Sequence, residues 1–332
     1  MRPVVVTGAS LVTPPAPGQD GLLVRRGLLR EGLDLQASLS ERIPRRMARR
    51  MTRLGAMVVC GADAALEDAG LGTREMQAGI ASVLGTSYGE IAVACKLFEQ
   101  GLEPGLSPTA FHNSVHNAPL GYLSIFSGLR GPSLTISDAT LSGEESVCEA
   151  VSLLEEGAAE AVVAGSGDES CPSIFSPCWR EGEDAPRQTA RTIESDDRLV
   201  TDEGCGFLVL EDEESARARG ATVRARLERI DRGGDLAEVL REASSGGEVD
   251  CVLIPAGLDR EPDPGVASAV RDVLGPDVVV ASEGAECGYV PASGVIRCVV
   301  ALARLADGSR NVLVLGIDLD GQCASIRFSG GS

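Results

Sequence analysis

The sequence predicts an α/β fold of layered sheets and helices, arranged as two similar β-α-β-α-β halves. Three observations carry this. Short apolar runs of strand length alternate with stretches of helical period from end to end. The order of these elements in the second half resembles that in the first. No low-complexity tract or long linker interrupts the 332 residues, a length that suits one large unit or two halves.

The first half reads as strand 3–8, helix about 46–69, strand 80–85, helix about 114–127, strand 133–137, helix about 143–156, and strands 160–164 and 206–211. The second half reads as strand 222–230, helix 234–244, strand 250–254, helix 265–274, strand 277–281, helix 291–305, and strands 312–317 and 323–328. The stretch 172–198, rich in proline and charge, is expected as an irregular surface excursion. Aromatic residues make up only 3% of the chain, so the core must be aliphatic.

Bulk properties exclude several function classes. A net charge of −19 repels nucleic acid and anionic membranes. No run of 18 apolar residues offers a membrane span. The N-terminus lacks the apolar stretch of a signal peptide, so a cytoplasmic protein is expected. Ten cysteines are scattered without a CxxC pair, as befits buried, reduced thiols rather than a metal site. The exception to the acidic balance is local. Arg42, Arg45, Arg46, Arg49, Arg50 and Arg53 crowd one stretch, with Met47, Met51 and Leu54 between them at helical spacing. This predicts an amphipathic helix whose basic face either pairs with the protein's own acids or meets an acidic partner, such as a carrier protein or a second subunit.

Two nucleotide-binding readings fail. Val4-Val5-Val6-Thr7-Gly8 could open a dinucleotide fold, but Pro14, Pro15 and Pro17 stand where glycines would admit a pyrophosphate. Lys96 is the sole lysine and belongs to neither a Tyr-x-x-x-Lys pair nor a phosphate loop. No cofactor and no metal are expected.

Other segments carry a resemblance. They are Gly85-Thr86-Ser87-Tyr88-Gly89, the run from Ser107 to Pro119, Gly131 to Gly143 with Asp138-Ala139-Thr140 inside it, Asp202 to Glu211, and Ala216 to Ala221. In this order they resemble the β-ketoacyl-acyl-carrier-protein synthases of the thiolase superfamily. The similarity runs from Val4 to about Ile230 and more faintly to Phe328. It implies a thiolase-like fold, a layered α-β-α-β-α sandwich, with a ketoacyl-synthase-like half at 1–215 and a second half at 216–332 forming one compact unit.

The resemblance also implies where the chemistry would sit. The family places a cysteine nucleophile at a tight strand-to-helix turn, where a helix N-terminus lowers its pKa. Here that position is Thr140, a far weaker nucleophile without an adjacent base. The family's two histidines map to Pro255 and to Tyr289, or to Gly288 if the register slips by one. The chain's only histidines, His112 and His116, precede Thr140 in a segment the family uses structurally. The glycine-rich turn near the family's C-terminus becomes Asp318-Leu319-Asp320-Gly321-Gln322-Cys323. Glu144 and Glu145 follow Thr140 as ordinary helix-start acids or as functional ones.

Three functions are compatible with these positions. In the first, no catalytic residue is expected, and the chain is a chain-length-factor-type partner of an active ketosynthase in fatty-acid or polyketide biosynthesis, aryl-polyene biosynthesis included. That heterodimer would be joined near Gly131–Ser137 and would also meet an acyl carrier protein. In the second, Thr140 handles acyl groups with Asp138, Glu286 or Asp318 as base. In the third, the chain is a homodimeric pseudoenzyme scaffold.

Overall fold

The computed structural model describes residues 3–15, 21–28, 31–72, 79–100, 107–171, 202–257 and 259–331. The excursion expected at 172–198 lies outside the described residues. The strands are β1 (Val4–Thr13), β2 (Leu23–Arg26), β3 (Leu33–Asp34), β4 (Ile80–Gly85), β5 (Ser133–Ile136), β6 (Ala161–Asp168), β7 (Gly204–Asp212), β8 (Ala225–Gly233), β9 (Cys251–Leu253), β10 (Val279–Ala281), β11 (Asn311–Ile317) and β12 (Cys323–Gly330). The helices are α1 (Leu35–Arg42), α2 (Arg45–Ala48), α3 (Arg53–Asp68), α4 (Ile91–Gln100), α5 (Pro108–His112), α6 (Ala118–Ser127), α7 (Ser142–Glu155), α8 (Glu213–Ala218), α9 (Leu236–Ser244), α10 (Pro264–Leu274), α11 (Gly284–Cys287) and α12 (Gly294–Ala306).

The strands form two series of one topology. In space the first runs β5-β4-β6-β7-β1 and the second β10-β9-β11-β12-β8. In each, three neighbouring strands are parallel, and the last two alternate in direction. The series join where Val4–Val6 pair antiparallel with Ala225–Leu227. Helices α7 and α12 touch strands of both series and form the central layer. Helices α3 and α6 cover the outside of the first series, and α9 and α10 pack on the second. Strands β1, β4 and β6 are buried along their whole length, so each reads as a continuous run of small and β-branched residues rather than an alternation.

Three apolar clusters fill the layers. The largest, between the two series, contains Val147 and Val151 of α7 beside Val295, Val299 and Leu302 of α12. Nine cysteines are free thiols in the described residues, eight of them buried; Cys95 is half-buried and Cys178 lies outside the described residues.

One expected helix is corrected. The stretch about 46–69 is broken into the single turn α2 and the longer α3, with Arg49–Thr52 between them. The helical turn carries on to Arg49, whose N–H donates to the Arg45 oxygen at 3.2 Å, and the ladder stops before Thr52. Thr52 instead caps α3, its Oγ1 accepting the Gly55 N–H at 2.9 Å. The expected apolar stripe dissolves accordingly: Leu54 is buried, but Met47 is 43% exposed. Short elements with weak periodicity (the β2–β3 hairpin, α1, α4 and α11) are additions to the sequence reading.

Candidate functional site

The site is assembled at the seam between the two series. Strand β5 ends at Ile136, and the chain enters α7 through a 3₁₀ turn at Ala139–Leu141. Ala139 has φ +42°, a region that residues with a side chain rarely occupy. Two hydroxyls hold its carbonyl, those of Ser87 and Ser142, each donating at 2.7 Å. The turn aims Thr140 across the seam, where its Oγ1 donates to the backbone oxygen of Ile317 at 3.1 Å.

Thr140, Pro255 and Tyr289 line a single cavity of about 120 Å³. Ala256, Val266, Val290, Pro291 and Leu319 supply apolar wall, and Asp263, Asp318, Ser293 and Arg297 supply the polar lining. Among the described residues neither a cysteine nor a histidine lines it. Tyr289, and not Gly288, takes the lining position: Gly288 has φ +73° and packs its backbone against Asp202, where a Cβ would meet Oδ2 at 2.0 Å. The Tyr289 backbone is fixed on both sides by Asp202. Its N–H donates to that carboxylate at 3.0 Å, and its oxygen accepts the Asp202 N–H at 2.9 Å. Burial, and then the neighbouring Tyr88 and Asp168, push the Tyr289 hydroxyl up to about 12, so it is a neutral phenol at physiological pH.

The proposed carboxylate bases separate in space. Asp138 and Glu286 do not line the cavity; Glu286 lies 4.0 Å from Arg25, beyond the seam. Asp318 does line it, but its Oδ1 is occupied by the N–H groups of Asp320 at 2.9 Å and Gln322 at 2.7 Å. His112 and His116 sit on α5 and in the turn before α6, both exposed.

Behind the cavity lies a feature absent from the sequence reading. Arg297 of α12, 1% exposed, donates to Glu283 at 2.7 Å, to Ser293 Oγ at 2.7 Å and to Glu144 at 2.5 Å. Glu144 is wholly buried; burial pushes its carboxyl up while the Arg297 guanidinium pulls it down. Its carboxylate occupies space left by two glycines: a Cβ at Gly294 would come within 2.4 Å of Oε2, and one at Gly316 within 2.5 Å of Cδ. The helix-start acid of the sequence reading is therefore an interior charge. The one available signal was Arg297 itself, a lone cation inside the apolar run Val295-Ile296-Arg297-Cys298-Val299. Asp263 and Ser293 gave no comparable signal, since both read as helix caps.

A second buried carboxylate ties the site together. Asp168, at the end of β6, accepts hydrogen bonds from Thr86 Oγ1 at 2.6 Å and from the N–H groups of Ser87, Tyr88 and Ala292 at 3.0, 3.1 and 3.0 Å. It links the loop beside the Thr140 turn to the segment that carries Tyr289. Among the described residues no three of His, Cys, Asp or Glu come together as metal ligands would.

Comparison with known proteins gives this geometry its family. The model of the β-ketoacyl synthase N-terminal domain matches residues 23–216. The chain belongs to the β-ketoacyl synthase family. It is 28% identical over 239 residues to nodulation protein E of Rhizobium leguminosarum bv. trifolii, covering 70% of this chain and 59% of that one. It is 28% identical over 300 residues to 3-oxoacyl-(acyl-carrier-protein) synthase 2 of Vibrio cholerae, covering 78% of this chain and 71% of that one. The chain thus spans less than two thirds of the nodulation protein. The ishigamide ketosynthase/chain length factor superposes with a TM-score of 0.75 at 21% identity, over 99% of this chain and 100% of that one. The fold is thiolase-like. No helix among the described residues is long and apolar enough to cross a membrane.

Proposed function

We propose that this family member is a non-condensing subunit, a chain-length-factor-type partner that works beside an active ketosynthase in the cytoplasm. One observation carries the reading. At the turn where the family resemblance puts the nucleophile, Thr140 donates its proton to the Ile317 carbonyl, in a cavity lined among the described residues by neither imidazole nor thiol. A threonine hydroxyl needs a base to take that proton before it can attack a thioester. Pro255 offers no titratable group, and Tyr289 is a neutral phenol.

Two surfaces support a partnered role. Strand β5 ends the first series, and among the described residues no strand pairs with its outer edge. Leu134 on this strand is 36% exposed and Ile125 on the adjacent α6 is 66% exposed, so an unpaired edge lies beside uncovered apolar side chains. A second subunit, a ketosynthase or another copy, would cover both by continuing the sheet. The second surface is the basic turn. Arg42 and Arg53 are paired with Glu67 and Glu203, whereas Arg45, Arg46, Arg49 and Arg50 are exposed without an ion pair among the described residues. On a chain of net charge −19, four free guanidinium groups in one turn suit an acidic acyl carrier protein.

The second reading, an enzyme using Thr140 with Asp318, rests on one shared cavity and on no bond between the two groups. Incubation with an acyl-thioester followed by intact-mass measurement separates the readings. No adduct on Thr140 is expected, and no condensation from this chain alone. Condensation restored by co-expression with the ketosynthase of the same operon, together with a heterodimeric native mass, is the supporting outcome. Full condensing activity of the isolated chain would refute the proposal.

A further inference from the structure

The same cavity has an electrostatic character that its non-condensing role does not explain. Three helices point their N-termini at it: α7 through the Thr140 turn, α10 through its cap Asp263, and α12 through its cap Ser293. Converging N-termini make a ready site for an anion. Here each is already answered by a carboxylate of the chain itself. Glu144 lies in the first turn of α7. Asp263 accepts the N–H groups of Gly265 at 2.8 Å and Val266 at 3.0 Å in α10. Glu283 takes the Ser293 hydroxyl and Arg297 at the head of α12.

What remains is an excess of negative charge. Among the described residues Arg297 is the only cation in the lining, and two carboxylates share it. Behind the lining, Glu144 and Glu283 each keep one buried oxygen, Oε2, without a hydrogen-bond partner among the described residues. At the rim, Asp263 and Asp318 commit Oδ1 to backbone N–H groups, and no hydrogen bond reaches their Oδ2 atoms among the described residues. The Tyr289 ring adds an aromatic face, and the wall is otherwise aliphatic.

We propose that this cavity binds a small aliphatic amine in its ammonium form. The apolar wall takes the body, and Asp263, Asp318 and the Tyr289 ring hold the cationic head. With about 120 Å³ available, the body is limited to about four to six non-hydrogen atoms, since a cavity of about 150 Å³ accommodates benzene. An anionic group of the same size is excluded by the carboxylates that have taken over the helix N-termini. The inference concerns the isolated chain and stands whether or not the chain partners a ketosynthase.

Three ligands of one shape test it: isobutylamine, isobutanol and isobutyrate, each titrated into the full chain at neutral pH and low salt. Amide resonances of Tyr289 and Asp318 report occupancy. The amine is expected to bind about tenfold or more tighter than the alcohol, as charge attraction in a half-buried site predicts, with no saturable shift from isobutyrate. Asp318→Asn keeps the turn's acceptor and should cut the amine's advantage roughly threefold or more without changing Tm. Val266→Trp, which fills the cavity, should abolish binding; if that variant unfolds, the Asp318→Asn comparison decides alone. Equal binding of alcohol and amine, binding of the carboxylate, no saturable binding of any, or an unchanged preference in Asp318→Asn would overturn the proposal.

Discussion

Arginine does opposite work in two regions of this molecule. At the seam, Arg297 is enclosed and bonded on three sides, by Glu144, Glu283 and Ser293. On the surface turn, Arg45, Arg46, Arg49 and Arg50 stand in water with no ion pair among the described residues. The interior cation is fixed by the fold and is indispensable to it, because removing it strands two carboxylates away from water. The surface cations contribute little to the fold, so their clustering calls for an explanation outside the chain. The comparison separates charges that hold the structure from charges available to a partner.

The sharpest way to break it is Arg297→Met. Stripping the shared cation should destabilise the protein by about 3–5 kcal/mol, read from denaturant unfolding. Glu144→Met/Glu283→Met/Arg297→Met removes all three charges together and should recover most of that loss, since an apolar replacement of a whole buried ion cluster is close to neutral. If the triple variant is as unstable as the single one, the cluster is valued for shape rather than charge.

Glu90 lies between the two extremes. It is 1% exposed, its Oε1 accepts the Thr52 hydroxyl at 2.5 Å, and its Oε2 has no partner among the described residues. Burial, reinforced by Glu169, pushes its carboxyl up to about 8. In the unfolded chain it ionises near its ordinary value of 4.5, so the unfolded state sheds its proton first. Stability should therefore fall as pH rises from about 4.5 to about 8, and level off above. Glu90→Gln mimics the protonated form and should flatten that slope, with a gain on the order of 2–4 kcal/mol at pH 9. A slope unchanged by the substitution would place the titration elsewhere. Because Thr52 both caps α3 and bonds Glu90, this carboxyl lies at the base of the arginine turn.

Much of this was legible in the sequence, and the failures are instructive. Strand β4 emerged at 80–85 as expected, because a buried parallel strand announces itself as an unbroken apolar run. Thr140, Pro255 and Tyr289 line one cavity, although more than a hundred residues separate the first from the other two. The single helix expected over 46–69 failed because periodicity ignores the capping strength of Thr52, which starts α3 afresh. Beyond the lone cation Arg297, the Glu144–Arg297–Glu283 cluster left no mark, because pairing across 153 residues does not reveal the partners. A carboxylate in a first helical turn reads as a surface feature until Gly294 and Gly316 are seen to make room for it.

Thr140 itself predicts a smaller effect. Thr140→Val keeps its shape and removes one neutral hydrogen bond, to the Ile317 carbonyl, so a loss of about 0.5–1.5 kcal/mol is expected by thermal or denaturant unfolding. Restoring a sulfur nucleophile with Thr140→Cys should not confer condensation. The cavity holds no imidazole to form an ion pair with the thiol, and its carboxylates oppose a thiolate. Condensing activity in that variant would show that the missing nucleophile is the only defect.

The smallest effect on stability is the most informative about partnership. Replacing Arg45, Arg46, Arg49 and Arg50 with serine should change unfolding free energy by no more than about 0.5 kcal/mol per site, because each is exposed. Removing like charges stacked one turn apart offsets any lost contact. The same variant should lose binding to an acidic carrier protein, and the wild-type interaction should weaken steeply between low and physiological salt. Binding measured by calorimetry at two ionic strengths, beside an unfolding curve for each protein, puts both halves of the comparison on one scale. A quadruple variant that binds normally would return these arginines to the solvated surface and leave the β5 edge as the chain's principal contact.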